Sequence, residues 1–128
     1  MATIFSRIIA GEIPSYKIAE DDRYFAFLDI KPLTKGHTLV IPKQETDYLF
    51  DLDDRTLADM MTFAKGIAVK IKQATGCKRV AVVVLGMEVP HAHIHLIPIN
   101  SEDEVDFHRA RVDLTPEEFD KIAASIRG

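Results

Sequence analysis

The chain has 128 residues, with 16 basic and 20 acidic side chains for a net charge of −4, and 47% of it is hydrophobic. That length suits one domain with a real core, and the balance of charge and apolar residues argues against a disordered chain or a binder of nucleic acid polymers, though a single nucleotide needs only a local site. No apolar run approaches the ~20 residues that span a bilayer, no signal-peptide pattern opens the chain, and Cys77 is the only cysteine, so a cytoplasmic protein without disulfides or a membrane partner is expected.

Residues 3–10, TIFSRIIA, place Ile4, Phe5, Ile8 and Ile9 at helical spacing and predict a short helix that Gly11 can stop. SYKIAED and RYFAFLDI flank the Asp21–Asp22 pair, which predicts a hairpin. In its second strand Phe25, Phe27 and Asp29 share one face, and Tyr24, Ala26 and Leu28 the other. KPLTKG reads as a loop, and HTLVIPK (37–43) as a third strand closed by Pro42. From 54 to 75, Leu57, Met60, Met61, Ala64, Ile67, Ala68 and Ile71 form one stripe at the helical period, capped by Asp53 or Asp54 and ended by Gly76. The Met60–Met61 pair suits core filling better than cofactor contact. RVAVVVLG (79–86) is nearly all apolar and β-branched, as in a strand covered on both faces. Residues 92–99 predict another strand and NSEDEVD a polar loop. LTPEEFDKIAASI predicts a helix opened by a Thr115–Glu118 capping box with Pro116 first inside, burying Phe119, Ile122, Ala123 and Ile126. Roughly five strands clustered as hairpins with two or three helices make an α+β domain.

PHAHIHLIP (90–98) sets His91, His93 and His95 at alternate positions. On a strand all three line one face, while Ala92, Ile94 and Leu96 face the other, under the long helix. Plain core packing would leave each imidazole needing its own polar partner. A metal site is a second reading, since a strand His-x-His is a common ligand pair. The carboxylate that a His-x-His-x-Asp hydrolase would add is missing, because its place holds His95 or Ile97; the glutamate of a cupin-like site would have to be Glu102, in the polar loop. The third reading is a nucleophile. An imidazole attacks phosphorus to give a phosphoramidate that water can open, if its other nitrogen is held by an acceptor and donors face the phosphate oxygens.

His91-Ala-His93-Ile-His95-Leu-Ile97 matches the His-φ-His-φ-His-φ-φ signature of the histidine triad (HIT) family. TIFSRIIAGEIPSYKIAEDDRYFAFLDIKPLTKGHTLVIPK resembles the N-terminal half of its Hint branch, the nucleoside phosphoramidases, so the resemblance covers about residues 3–100. It implies a single HIT domain over 1–128, with a core at 3–100 and a C-terminal extension, 101–128, carrying a helix. It also implies a five-stranded antiparallel sheet with one long helix and short N- and C-terminal helices, and a homodimer that joins two sheets into ten strands. By the same resemblance His93 is the nucleophile that becomes a nucleotidyl-imidazole, His95 donates to phosphate oxygens, and His91 and His37 assist. Asp29 matches the acid that accepts ribose hydroxyls. Ile4, Phe5, Ile8, Phe27, Ile30 and Leu39 match the apolar slot for the base, although core packing alone would also put apolar residues there. The implied substrate is a conjugate of a purine nucleoside monophosphate, and no cofactor is implied.

Two departures matter. Family members usually carry Gly-Gln-Ser or Gly-Gln-Thr before the triad strand, touching phosphate and leaving group, whereas this chain has Gly86-Met87-Glu88-Val89-Pro90, a shorter preceding loop, and no asparagine in RVAVVVLG. Glu88 would repel a phosphate unless it points away, is protonated or receives a leaving-group amine. Many bacterial relatives bind structural zinc through an N-terminal Cys-x-x-Cys and a histidine after the third strand. Here the matching positions are Thr3, Ser6 and Glu45, so no metal is expected, and Cys77, far from all three, is expected to be a buried, inert thiol. The leading expectation is a HIT hydrolase or transferase, of nucleoside phosphoramidase or dinucleoside polyphosphate hydrolase type. The alternatives are a nucleotide-binding module with weak or no turnover, because of Met87 and Glu88, and a metal-dependent enzyme using the same histidines.

Overall fold

The computed structural model describes residues 2–128. Its elements in chain order are α1 (Ile4–Ile9), β1 (Lys17–Glu20), β2 (Tyr24–Leu28), β3 (Thr38–Pro42), α2 (Asp54–Thr75), β4 (Arg79–Val83), β5 (Ile94–Ile99) and α3 (Pro116–Arg127). Short 3-10 turns at Leu49–Asp51 and Glu102–Glu104 interrupt the loops. The five strands form one sheet in the order β1-β2-β3-β5-β4, and each neighbouring pair is antiparallel.

The β1–β2 turn closes on Asp21, whose Oδ1 accepts the backbone N–H groups of Arg23 (2.8 Å) and Tyr24 (2.7 Å). This is the Asx geometry that a short acidic side chain offers a turn. Alternation then divides the strands between two cores. Tyr24, Ala26 and Leu28 of β2, Val40 of β3, and Ile94 and Leu96 of β5 meet Met60, Ala64, Ile67 and Ile71 of α2. Phe119, Ala123 and Ile126 of α3 complete that layer, so the C-terminal helix belongs to the main core. The opposite face carries Phe25, Phe27, Leu39 and Ile41, with Phe5 of α1 packed among them. α2 starts where the Asp53 carboxylate accepts the Thr56 N–H at 2.7 Å, a cap worth ~1 kcal/mol, and stops at Gly76 in the left-handed region (φ 68°). The Tyr24 hydroxyl donates to the Thr56 carbonyl at 2.8 Å and ties the helix start to β2. No helix among the described residues is long and apolar enough to cross a membrane.

Four expectations need correction. β4 ends at Val83 rather than Gly86, because its partner β5 begins only at Ile94, and Val83 pairs with His95. Nor is β4 covered on both faces: it lies at the sheet edge, and Val82, Val84 and Leu85 are exposed. Residues 92 and 93 precede β5, yet the chain there stays extended enough that Ala92 faces the helical core as alternation requires. Met61 is exposed while Met60 is fully buried, so only Met60 fills the core. Cys77 is a buried free thiol.

Candidate active site

Four buried histidines gather on the face opposite α2: His37 just before β3, His91 and His93 in the chain entering β5, and His95 within it. The ring centroids of His93 and His95 are 5.1 Å apart, and those of His37 and His95 are 5.2 Å apart. Each ring nitrogen with a protein partner can be given a protonation role, because backbone groups accept or donate but never both at one atom.

A main-chain amide opens one chain of hydrogen bonds. The Leu33 N–H donates to His37 Nδ1 at 3.0 Å, so that nitrogen carries a lone pair and the proton of neutral His37 sits on Nε2. His37 Nε2 lies 3.0 Å from His95 Nδ1 and 3.6 Å from Asp29 Oδ2, so the hydrogen bond goes to His95. His95 Nδ1 is therefore an acceptor, and its Nε2 carries the proton. Burial pushes His37 down to about 3 and His95 down to about 4, with the neighbouring histidine and Arg111 adding to it, so both rings are neutral near pH 7. His95 thus presents a neutral N–H donor.

His93 is oriented the opposite way. Its Nδ1 lies 2.7 Å from the His91 carbonyl, which can only accept, so Nδ1 carries the proton. In the neutral ring the lone pair is then on Nε2. His91 in turn donates from Nε2 to the Pro42 carbonyl at 2.8 Å and accepts at Nδ1 from Thr3 Oγ1, also at 2.8 Å; burial lowers its pKa.

Behind His91 stands a network that closes α1 onto the site. The Thr3 hydroxyl accepts the Ser6 N–H at 3.0 Å, as a helix cap, while donating to His91. Glu45 accepts the Thr3 N–H at 3.0 Å and the Ser6 hydroxyl, and these bonds hold its carboxyl below the usual range. Thr3, Ser6, Glu45 and His91 are therefore joined through hydrogen bonds that use both hydroxyl protons. The three residues matched to zinc ligands do come together, but they do not fit zinc, having no thiolate and only one exposed carboxylate. A second possible cluster, with donor atoms of Asp29, His37 and His95 within 4.8 Å of one another, is accounted for by the same logic. Leu33 N–H already occupies His37 Nδ1, so a metal on Nε2 would require an imidazolate or the loss of that hydrogen bond.

Asp29 follows β2; its Oδ1 accepts the Lys31 N–H at 2.9 Å, and burial raises its pKa against that bond. Of the six residues matched to the base slot, Phe5, Phe27 and Leu39 are buried together, and Ile8 packs against them. Phe5 meets His93 edge-on at 5.1 Å and Phe27 at 5.6 Å. Ile4 and Ile30 do not join: they are 51% and 68% exposed, since Ile4 sits off the buried face of α1 and Ile30 falls in the turn after β2. Glu88 is exposed, and its charge adds to the burial that raises Asp29. Two residues were not singled out in the sequence. Phe107 lies 5.0 Å from His95 and 6.3 Å from His37, ring to ring, and Arg111 lies 5.4 Å over the Phe107 ring. Their only signal is an aromatic and a cation inside a polar stretch. A cavity of about 400 Å³ lies elsewhere, between α2, α3 and the end of β5, and no histidine lines it.

A family model for the HIT domain matches residues 10–102. The chain is 42% identical to adenosine 5′-monophosphoramidase HNT1 of Saccharomyces cerevisiae, over 79% of this chain and 65% of that protein. It is 34% identical to adenosine 5′-monophosphoramidase hnt1 of Schizosaccharomyces pombe, over 98% of this chain and 96% of that one. Among solved structures, a Hit-like protein from Bartonella henselae aligns with TM-score 0.84 and 33% identity, over 98% of this chain and 93% of that chain. A zinc-bound histidine triad family protein from Mycobacterium smegmatis aligns with TM-score 0.82 and 31% identity, over 98% of this chain and 94% of that chain. A family model spanning most of the chain, and relatives of this identity along nearly its whole length, make the chain a member of the HIT domain family.

Proposed function

We propose that the chain is a nucleotide hydrolase or transferase that cleaves a nucleoside monophosphate from its leaving group through a covalent intermediate on His93. The observation that carries this is the hydrogen bond from His93 Nδ1 to the His91 carbonyl, which leaves the Nε2 lone pair free for attack. In the first step a bond forms between Nε2 and the α-phosphorus, and the bond to the leaving group breaks, its electron pair going to that group, which takes a proton from solvent. Water then attacks phosphorus and gives up a proton to solvent, and the P–N bond opens with its electron pair returning to Nε2 of His93. The His95 Nε2–H, fixed by His37 and Leu33, stabilises charge on a phosphoryl oxygen in both steps. Asp29 accepts the ribose hydroxyls, and the Phe5–Phe27–Leu39 cluster holds the base.

The names of the two yeast relatives favour an adenosine monophosphoramidate as substrate, with an amine leaving group that Glu88 would receive. The same Glu88 favours a second reading, nucleotide binding with little turnover, because its charge reaches the site. The unpaired edge of β4, with exposed Val82, Val84 and Leu85, supports pairing with a second copy. Kinetics with an adenosine phosphoramidate test the leading reading. His93→Ala should lose at least 10²-fold in kcat while AMP binding stays largely intact, and His95→Ala should weaken both. Wild-type protein that binds AMP but turns over no leaving group, and gains turnover in Glu88→Ser, would establish the second reading instead.

A further inference from the structure

Between the 3-10 turn at Glu102–Glu104 and α3 the chain runs without regular structure, yet it is fastened at defined points. The Val112 N–H donates to the Pro32 carbonyl at 2.8 Å, and Arg111 Nη1 donates to the Lys31 carbonyl at 2.7 Å. Arg111 also lies over the Phe107 ring and donates to the Phe107 carbonyl from Nη2 at 3.4 Å. This strap therefore grips residues 31 and 32, immediately before Leu33, whose N–H sets the protonation of His37. The side chain it carries inward is Phe107, set edge-on against His95 (72° between planes) and His37 (79°).

We propose that Phe107 is a positioning residue: its ring seals the His37–His95 hydrogen bond from water and so keeps the Nε2–H of His95 available as a donor. The proposal rests on reading His95 as the phosphate donor. A hydrogen bond between two neutral imidazoles has little net strength where water competes for both nitrogens, and more where water is excluded. Once His37 Nε2–H could bond to water, His95 could adopt the other tautomer, with its proton on Nδ1. Its Nε2 would then present a lone pair to a phosphate oxygen, turning attraction into repulsion. The titratable and charged groups facing the pair are Asp29 beyond β2, His93 in the chain before β5, and Arg111 on the strap; β4 presents Val83 opposite His95. None of these can replace an apolar ring in keeping water out.

The test is read on the protein alone, without substrate, so it is independent of whether His93 forms an adduct. Imidazole ¹⁵N resonances are followed from pH 8 to pH 4 in wild-type, F107A, F107L and R111K chains. In the wild type His95 should keep the Nε2–H pattern and resist protonation down to about 4. In F107A its midpoint should rise to about 5 or higher and the tautomers should mix, while F107L, which refills the space, should recover most of the wild-type behaviour. R111K keeps the charge but loses the two-pronged grip, and should shift the midpoint in the same direction by less. A folded F107A chain with an unchanged His95 midpoint and tautomer overturns the proposal; if F107A does not fold, an unchanged R111K titration overturns it.

Discussion

Lowering the pH from 7 to 5.5 should destabilise this protein by an amount set chiefly by two histidines, with His91, whose pKa burial also lowers, adding in the same sense. His37 and His95 ordinarily titrate near 6.5, but burial holds them at about 3 and about 4 in the fold. Both are neutral in the folded and the unfolded chain well above pH 6.5, so their contribution is intact there. As the pH falls through 6.5 the unfolded chain takes up protons that the folded chain refuses until about 4, and stability falls with the difference in bound protons. At pH 5.5 each unfolded histidine is about nine-tenths protonated, so each site loses about 1.2 kcal/mol relative to pH 7 and the pair about 2.5 kcal/mol. Most carboxylates contribute almost nothing in this window, since their ordinary values lie well below it. Asp29, whose carboxyl burial raises, acts in the opposite sense, holding its proton more tightly when folded. Urea unfolding at the two pH values measures the loss, and the His37→Gln, His95→Gln double variant is the control that retains Asp29. A wild-type stability that is flat between pH 7 and 5.5, or a loss just as large in the double variant, which keeps only the contribution of His91, would refute the burial argument and with it the neutral donor at His95.

Asp29→Ala should weaken AMP binding by ~1.5–3 kcal/mol, the worth of hydrogen bonds to a charged acceptor, and calorimetry that finds unchanged affinity counts against a ribose contact. Val82→Lys places a charge on the exposed β4 edge and should turn a dimer into a monomer in light-scattering measurements. A wild-type monomer at ~100 μM would end the edge-pairing reading, since stable interfaces hold well below that concentration.

The two-core division of the sheet was legible because strand alternation is strict. Phe25 and Phe27 against Tyr24, Ala26 and Leu28 could be sorted by parity alone, and the structure separates them in that way. The triad was legible for the same reason, although only His95 lies in β5. Parity reports side-chain direction and not hydrogen bonding, so it could not mark where pairing stops. RVAVVVLG misled in a related way: an apolar strand buried on both faces and one left at a sheet edge read alike, because the partner is not in the local sequence. Ile4 and Ile30 were matched to the slot by resemblance, and in the structure both stand exposed beside the buried Phe5, Phe27 and Leu39. The joining of Thr3, Ser6 and Glu45 to His91 was foreshadowed only as a grouping of three positions, not as hydrogen bonds. Phe107 and Arg111 had no periodic pattern to reveal them. Arg111 meets the Lys31 carbonyl across 80 positions of chain, and only the folded topology supplies that contact.

The central claim is a covalent bond at His93, and rapid-quench mass spectrometry with an adenosine phosphoramidate tests it most directly. Acid-labile phosphoramidates survive a neutral or alkaline quench, so the intact chain is weighed and its digest sequenced under those conditions. The account predicts a transient mass increase of one AMP residue, confined to His93 in the wild type and missing from His93→Ala. Product that accumulates with no adduct at any time, or an adduct carried by His91 or His95 while His93→Ala still turns over, would contradict it.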